Sequence, residues 1–267
     1  MIALYRRILL LAALLVLPTL TGAQAGSPVM ASHLAIYDMS LKSADQSSDI
    51  AELVGQMLIE VADVCDGWTL KQRIALTIVN FHGDVIRSYT SFASWESKDG
   101  RRFRFEQKAE QDGVLVEELG GEAGLDSVGG AGVVVLGSPA GVNLELAPGT
   151  LFPSQHTALL IVAAEAGESF VSRAVFDGTS PDGASQISAF IGPPTTAEIL
   201  DGEQVEPKVW PIRLAFYGAS SAAPEPNVEV GMMLQANGVA RHLTLDYDSF
   251  AIDGRLDKLE ILPAADC

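Results

Sequence analysis

The chain has 267 residues, with 17 Lys and Arg against 34 Asp and Glu, so its formal charge at neutral pH is −17. This strongly negative balance excludes broad binding to nucleic acid or to anionic lipid headgroups, because both need a positively charged surface. The chain is long enough to bury a sizeable core, and 48% of its residues are hydrophobic.

The first 25 residues have the three parts of a cleavable signal peptide. Arg6 and Arg7 precede an apolar run, Ile8–Leu17, and the small-residue site Ala23–Ala25 follows. This run is too short to cross a bilayer about 30 Å thick as a helix, so we expect cleavage and a mature protein that does not span the membrane. Cleavage after Ala25 would leave 15 basic and 34 acidic residues, and therefore a charge of −19.

Alternation of apolar and polar residues at a period of two follows in about twelve to fourteen runs, a pattern typical of antiparallel strands with one buried face. The clearest runs are His33–Leu41, Trp68–Val79, Arg101–Glu106 and Leu243–Tyr247. Tight hairpins between neighbouring strands are predicted at Asp99-Gly100, Asp112-Gly113 and Asn237-Gly238. A further Asp-Gly pair, Asp253-Gly254, is interpreted as another turn.

One stretch departs from this period. Pro153 fits the first turn of a helix, and the residues up to 164 are apolar on nearly every side before Gly167. A helix without a polar face must be surrounded, which predicts a curved antiparallel sheet, a β-spiral or half-barrel, wrapped around it. Ser154 is expected to accept hydrogen bonds from free backbone amides at the helix start. A buried strand is the alternative, since Leu160–Val162 is β-prone.

Two segments are interpreted as loops. Leu119–Gly141 contains eight glycines, and Gly218–Asn227 contains a cluster of Ser, Ala and Pro. Neither segment is interpreted as a domain boundary, and no internal repeat of fixed length is evident. The sequence therefore predicts a signal peptide at 1–25 and a single mainly β domain at 26–267.

The chain contains two cysteines, Cys65 and Cys267. Two thiols exported into an oxidising compartment are expected to pair. Because the bond would close a loop of about 200 residues, it would act as a structural staple worth about 5 kcal/mol.

The pattern of His, Ser and Asp residues does not indicate a catalytic or metal site. The histidines at 33, 82, 156 and 242 lack the spacing of metal ligands. Ser154 and His156 lie two residues apart on the predicted helix, so their side chains diverge by about 200° and cannot pair as nucleophile and base. We expect a non-enzymatic protein without cofactor or metal. An envelope hydrolase that uses Asp and His is the weaker alternative.

A half-barrel over an apolar helix can leave an apolar cleft. Candidates for its lining are Met57, Ile59, Met232, Met233 and Leu234. Such clefts suit acyl chains or apolar protein segments. The alternative is that these residues form ordinary core.

Several segments of the chain, taken in order, resemble the cell-envelope integrity protein EipB family. The matching segments are Met30–Leu41, Cys65–Trp68, Gly149–His156, Val175–Gly178 and Leu245–Cys267. Together they span almost the whole predicted mature chain, so the resemblance is specific.

The resemblance implies a periplasmic protein of Gram-negative bacteria that maintains the envelope under stress. It also implies a long β-spiral around a hydrophobic helix, closed by a disulfide between Cys65 and Cys267. The implied shape is similar to that of periplasmic lipoprotein carriers, which hold acyl chains in a concave face. We therefore expect a protein that binds a lipid, a lipoprotein or a protein partner in its apolar cleft. The alternative is a structural module that docks a partner through its outer face or sheet edge.

Overall fold

The computed structural model describes residues 30–196, 208–218, 225–263 and 265–267. The predicted signal peptide and most of the predicted loop Gly218–Asn227 lie outside these residues. The described chain forms one helix and fourteen strands: β1 His33–Ala44, β2 Ile50–Asp63, β3 Gly67–Asn80, β4 Val85–Ser97, β5 Arg102–Gln111, β6 Val114–Leu125, β7 Gly132–Ser138, β8 Asn143–Leu146, α1 Pro153–Glu165, β9 Phe170–Val175, β10 Ser185–Ile191, β11 Val209–Tyr217, β12 Val228–Gln235, β13 Ala240–Asp246 and β14 Phe250–Ile261.

All fourteen strands belong to one antiparallel sheet that is not closed into a barrel, which confirms the predicted fold class. The order across the sheet is β8-β7-β6-β5-β4-β3-β2-β1-β14-β13-β12-β11-β10-β9. Strands β1 to β8 therefore form one meander and β9 to β14 a second. The two meanders join where β1 pairs with β14, from His33 opposite Ile261 to Ala44 opposite Phe250. The helix connects the two edge strands, β8 and β9.

The predicted hairpins are confirmed, with one exception among the Asp-Gly pairs. Asp112 and Gly113 adopt φ of 52° and 78° between β5 and β6, which is the left-handed conformation that a tight turn requires. The turn predicted at Asp253-Gly254 is wrong, because both residues lie inside β14. Gly254 instead leaves room for a neighbouring side chain, because a Cβ at this position would lie 3.0 Å from Met39 Sδ.

The glycine-rich segment Leu119–Gly141 is also corrected, since most of it belongs to strands β6 and β7 rather than to a loop. Its glycines let neighbouring backbones approach closely. A Cβ on Gly121 would lie 2.5 Å from the carbonyl oxygen of Val135, and one on Gly132 would overlap the backbone of β6. A high glycine content can therefore mark tight strand contact as well as a loop.

The apolar segment forms the predicted helix α1. Ile161 is fully buried, and of the thirteen helical residues only Val162 and Glu165 are exposed. The buried face packs against side chains of β9 to β12, including Trp210 and Leu234. A helix with so little polar surface is stable only when it is enclosed in this way.

An aromatic cluster holds the start of α1 against β5. Phe152, directly before the helix, stacks on Phe103 at a centroid distance of 5.2 Å. Phe105 and Phe176 complete the cluster, with their rings packed edge to face at 5.4 Å. Aromatic pairs at such distances contribute about 0.5–1.5 kcal/mol beyond their burial. The first turn of α1 is thereby fixed beside the end of β4, where the candidate site lies.

Candidate functional site at the helix N-terminus

A pocket of about 140 Å³ lies beside the first turn of α1. Its walls come from six separate parts of the chain: β1, β2, β3, β4, α1 and the turn between β12 and β13. The polar and aromatic side chains that line it include His33, Trp68, Glu96, Ser154, Thr157 and Asn237. We call this cavity the α1 pocket.

Glu96 is the central charged group of the α1 pocket. Only 2% of the residue is exposed, and its carboxylate accepts hydrogen bonds from the backbone amides of Ser154, at 2.7 Å to Oε2, and Gln155, at 3.1 Å to Oε1. Burial raises the pKa of Glu96 to about 7, against the opposing effect of these amide donors and of the Ser154 hydroxyl. The residue is thus both a cap for the helix and a carboxyl group that titrates near neutral pH.

Glu96 caps the helix, and the prediction that Ser154 does so is wrong. The N-cap residue is Phe152, whose side chain makes no capping hydrogen bond. The backbone amide of Ser154 donates to Glu96, so Ser154 is itself one of the capped residues. A usable signal existed, because Glu96 and Phe92 lie four residues apart on β4 and strand alternation puts them on one face. An acidic residue in phase with buried aromatics marks a carboxylate inside the core.

His33 forms another wall of the α1 pocket and is 4% exposed. Its Nδ1 lies 2.8 Å from the carbonyl oxygen of Ala31, which can only accept, so Nδ1 carries the hydrogen and Nε2 is an acceptor in the neutral ring. Burial lowers the pKa of His33, and the bond to Ala31 partly offsets this effect. His33 therefore presents a neutral acceptor rather than a positive charge.

The disulfide lies close to Trp68 along the chain. Cys65 and Cys267 are bonded with their Cα atoms 5.7 Å apart, which confirms the predicted pairing. The turn is held by Asp63, which accepts from the amide of Cys65 at 2.9 Å and from Lys98 Nζ at 2.6 Å. Lys98 Nζ also lies 3.7 Å from the centre of the Trp68 ring, a cation–π contact. The covalent bond and the pocket wall thus belong to one connected structure.

The EipB-like family model matches residues 24–263. This chain belongs to the EipB-like family. The cell envelope integrity protein EipB of Brucella abortus (strain 2308) is 32% identical over 249 residues, covering 90% of this chain and 88% of the relative. The crystal structure of a beta-barrel-like protein of domain of unknown function DUF1849 from Brucella abortus matches with a TM-score of 0.83 and 30% identity, covering 88% of this chain and 99% of that one.

Four of the five residues predicted to line an apolar cleft belong to the core clusters of this EipB-like chain. Met57 is 1% exposed and packs in a cluster with the half-buried Ile59. Leu234 is 2% exposed and packs against α1, while Met232 contacts both clusters. Met233 alternates with its two neighbours and lies on the opposite face of β12. The structure therefore favours the ordinary-core alternative for Met57 and Leu234.

Two buried polar side chains of the described chain lack hydrogen-bond partners. One is His156, whose Nε2 is unpaired and whose pKa is lowered to about 4 by burial and, to a smaller degree, by the positive charge of Arg173. The other is Gln235, which is 1% exposed with both amide atoms unpaired. Unpaired buried groups cost about 1–3 kcal/mol each. His156 does not line the α1 pocket, so His33 and His156 do not share this site.

Within residues 30–196, 208–218, 225–263 and 265–267, no group of three or more His, Cys, Asp or Glu side chains is placed to hold a metal ion. No helix in the same part of the chain is long and apolar enough to span a membrane.

Proposed function

We propose that this EipB-like chain is a non-enzymatic protein of the Gram-negative periplasm that supports the integrity of the cell envelope by binding a ligand at the α1 pocket. The observation that carries the proposal is the pocket itself, where six parts of the chain meet around a carboxylate that is 2% exposed. Burying a charged group costs free energy, and strongly perturbed carboxyl groups in a cavity occur preferentially at functional sites.

The envelope role is supported by the relative from Brucella abortus, which is named for cell envelope integrity and covers 90% of this chain at 32% identity. The periplasmic location is supported by the disulfide between Cys65 and Cys267, because such bonds persist in oxidising compartments. The predicted signal peptide at 1–25 agrees with this location.

The proposed ligand is a lipid, a lipoprotein or a protein partner that enters the pocket through a small end group. Met57 and Leu234 are enclosed, so an acyl chain could follow the predicted cleft only by displacing core side chains. Native mass spectrometry of protein isolated from the periplasm, together with displacement of a fluorescent fatty acid, tests this point. A bound or displaceable acyl chain would support a protein that carries acyl chains. Absence of any such chain would exclude that function.

A pocket-filling variant tests whether the pocket is functional. Ser94 lines the α1 pocket, so Ser94→Leu would fill it, whereas Ser91 lies on the opposite face of the same strand and Ser91→Leu is the matched control. We expect the first variant to leave a deletion strain sensitive to detergent and the second to restore resistance. Circular dichroism melting must show that both variants are folded.

Full detergent resistance with folded Ser94→Leu protein would contradict the proposal. It would favour the alternative in which the outer face or a sheet edge docks a partner.

A further inference from the structure

Capping of α1 leaves part of the Glu96 carboxylate unused. Each of its oxygens accepts one backbone amide, from Ser154 and Gln155, and the Ser154 hydroxyl donates to the same carboxylate. An ionised carboxylate offers about four acceptor positions, so about one remains after capping. Because Glu96 lines the α1 pocket, this position is available to a molecule inside it.

The other walls of the pocket also present electron-rich groups. His33 offers Nε2 as an acceptor, because its Nδ1 donates to Ala31. Trp68 contributes an indole ring, the side chain whose face attracts cations most strongly. No Lys or Arg is among the described residues that line the pocket. The nearby Lys98 pairs with Asp63 and covers one face of the Trp68 ring, so an occupant of the pocket can use only the other face.

Charge and size exclude two classes of ligand. An anion would meet the Glu96 carboxylate, which already occupies the amides at positions 154 and 155 that helix starts otherwise offer to anions. An acyl chain or a drug-sized molecule would need more room, since such sites typically have volumes of about 300–1,000 Å³. A pocket of about 140 Å³ accommodates a small molecule or one end of a larger one.

We propose that the α1 pocket binds a primary ammonium group, with Glu96 and His33 Nε2 accepting hydrogen bonds from its N–H groups and with its charge next to the face of the Trp68 ring that Lys98 leaves open. This inference rests on the proposed function, because it names the ligand chemistry of the same pocket. An ammonium group on a larger amphiphile and one on a small soluble amine share this chemistry.

Titrations of isotope-labelled protein with ethanolamine, followed by NMR, test the proposal. We expect saturable shifts of the Trp68 indole N–H and of the amides of Ser154 and Gln155. Choline should bind at least tenfold more weakly, because its quaternary nitrogen has no N–H to donate. Acetate should neither bind nor compete. Absence of saturable shifts with ethanolamine, or competition by acetate, would overturn the proposal.

Variants tie the binding to particular side chains. Glu96→Gln should weaken ethanolamine binding about tenfold or more, because it removes the charge that accepts the ammonium. The matched control is Glu106→Gln, an exposed carboxylate on the adjacent strand, which should bind as the unmodified chain does. If Glu96→Gln does not fold, Trp68→Leu replaces it, since Glu96 and the helix cap stay in place. Unchanged affinity in the folded variant would refute the assignment.

Two further comparisons identify the source of the ammonium group and show which of the two proposals fails. Short-chain phosphatidylethanolamine binding more tightly than ethanolamine would assign a lipid headgroup, whereas equal or weaker binding would assign a soluble amine. If the unmodified chain does not bind ethanolamine but folded Ser94→Leu loses detergent resistance, only this inference is overturned. If the unmodified chain binds ethanolamine but folded Ser94→Leu keeps full detergent resistance, only the proposed function is overturned.

Discussion

Replacing Glu96 by Gln is expected to change how the stability of the protein depends on pH. Burial raises the pKa of Glu96 from its ordinary 4.5 to about 7 in the folded chain. Between these values the folded state keeps a proton that the unfolded state has lost, so the stabilising contribution is complete below pH 4.5 and declines as pH rises to 7. At about 1.4 kcal/mol per pKa unit, the decline amounts to about 3 kcal/mol.

His156 acts in the opposite direction over nearly the same range. Its pKa is lowered from 6.5 to about 4, so its contribution is complete above pH 6.5 and is lost as pH falls towards 4, again by about 3 kcal/mol. The lowered pKa of His33 adds an effect of the same sign as that of His156. In the unmodified chain the declining contribution of Glu96 is therefore largely masked by the two histidines.

Glu96→Gln removes the declining contribution of Glu96 and leaves the opposite contributions of the two histidines in place. The unfolding free energy of the variant should rise relative to that of the unmodified chain by about 3 kcal/mol between pH 4.5 and pH 7. Urea unfolding at a series of pH values measures the difference directly. Glu106→Gln, at an exposed position, should show no such trend. A difference between Glu96→Gln and the unmodified chain that stays constant with pH would refute the assignment of a buried, titrating carboxyl.

Three further substitutions test the packing and the covalent bond. Cys65→Ser should lower the unfolding free energy in oxidising buffer by up to about 5 kcal/mol, because a loop closed across 202 residues is released. The substitution should have no effect with reductant present. Equal melting curves of the variant and the unmodified chain in oxidising buffer would contradict the stabilising role of the disulfide. Ile161→Ala, at a fully buried position, should lower the unfolding free energy measured in urea by about 2–5 kcal/mol. Val162→Ala, at a position that is 38% exposed, should lower it by less than about 1 kcal/mol. Similar losses in the two variants would argue against an enclosed helix. Gly178→Ala should lower the unfolding free energy by about 1–3 kcal/mol more than Gly83→Ala in the same assay. Both glycines have positive φ, but only at Gly178 would a Cβ meet Phe105, at 2.5 Å. Equal losses in the two variants would contradict this contact.

Most of the fold could be predicted from the sequence, because its signals are local. Alternating apolar residues set the strand faces, and pairs such as Asp112-Gly113 set the turns. The helix was predictable because Pro153 and Gly167 bracket residues that are apolar on nearly every side. The pairing of Cys65 with Cys267 followed from there being two cysteines in the chain.

The α1 pocket could not be predicted, because its walls meet only through long-range strand pairing. His33, Trp68 and Glu96 lie on three strands, and only the register of the sheet brings them beside Ser154. Local spacing also cannot separate a glycine in a loop from one such as Gly121, whose partner strand lies too close for a side chain. The same limit explains why core methionines resemble a cleft lining in the sequence.

The pairing of β1 with β14 has a consequence for how the chain is completed. β14 is the last strand in chain order, so β1 keeps an open edge until nearly all of the chain is available to fold. Contacts between strands so distant in sequence form slowly, and an open edge can recruit a strand from another molecule. A chain shortened before Phe250 would leave β1 and β13 each with one unpaired edge, and intermolecular aggregation is the expected fate of such a fragment.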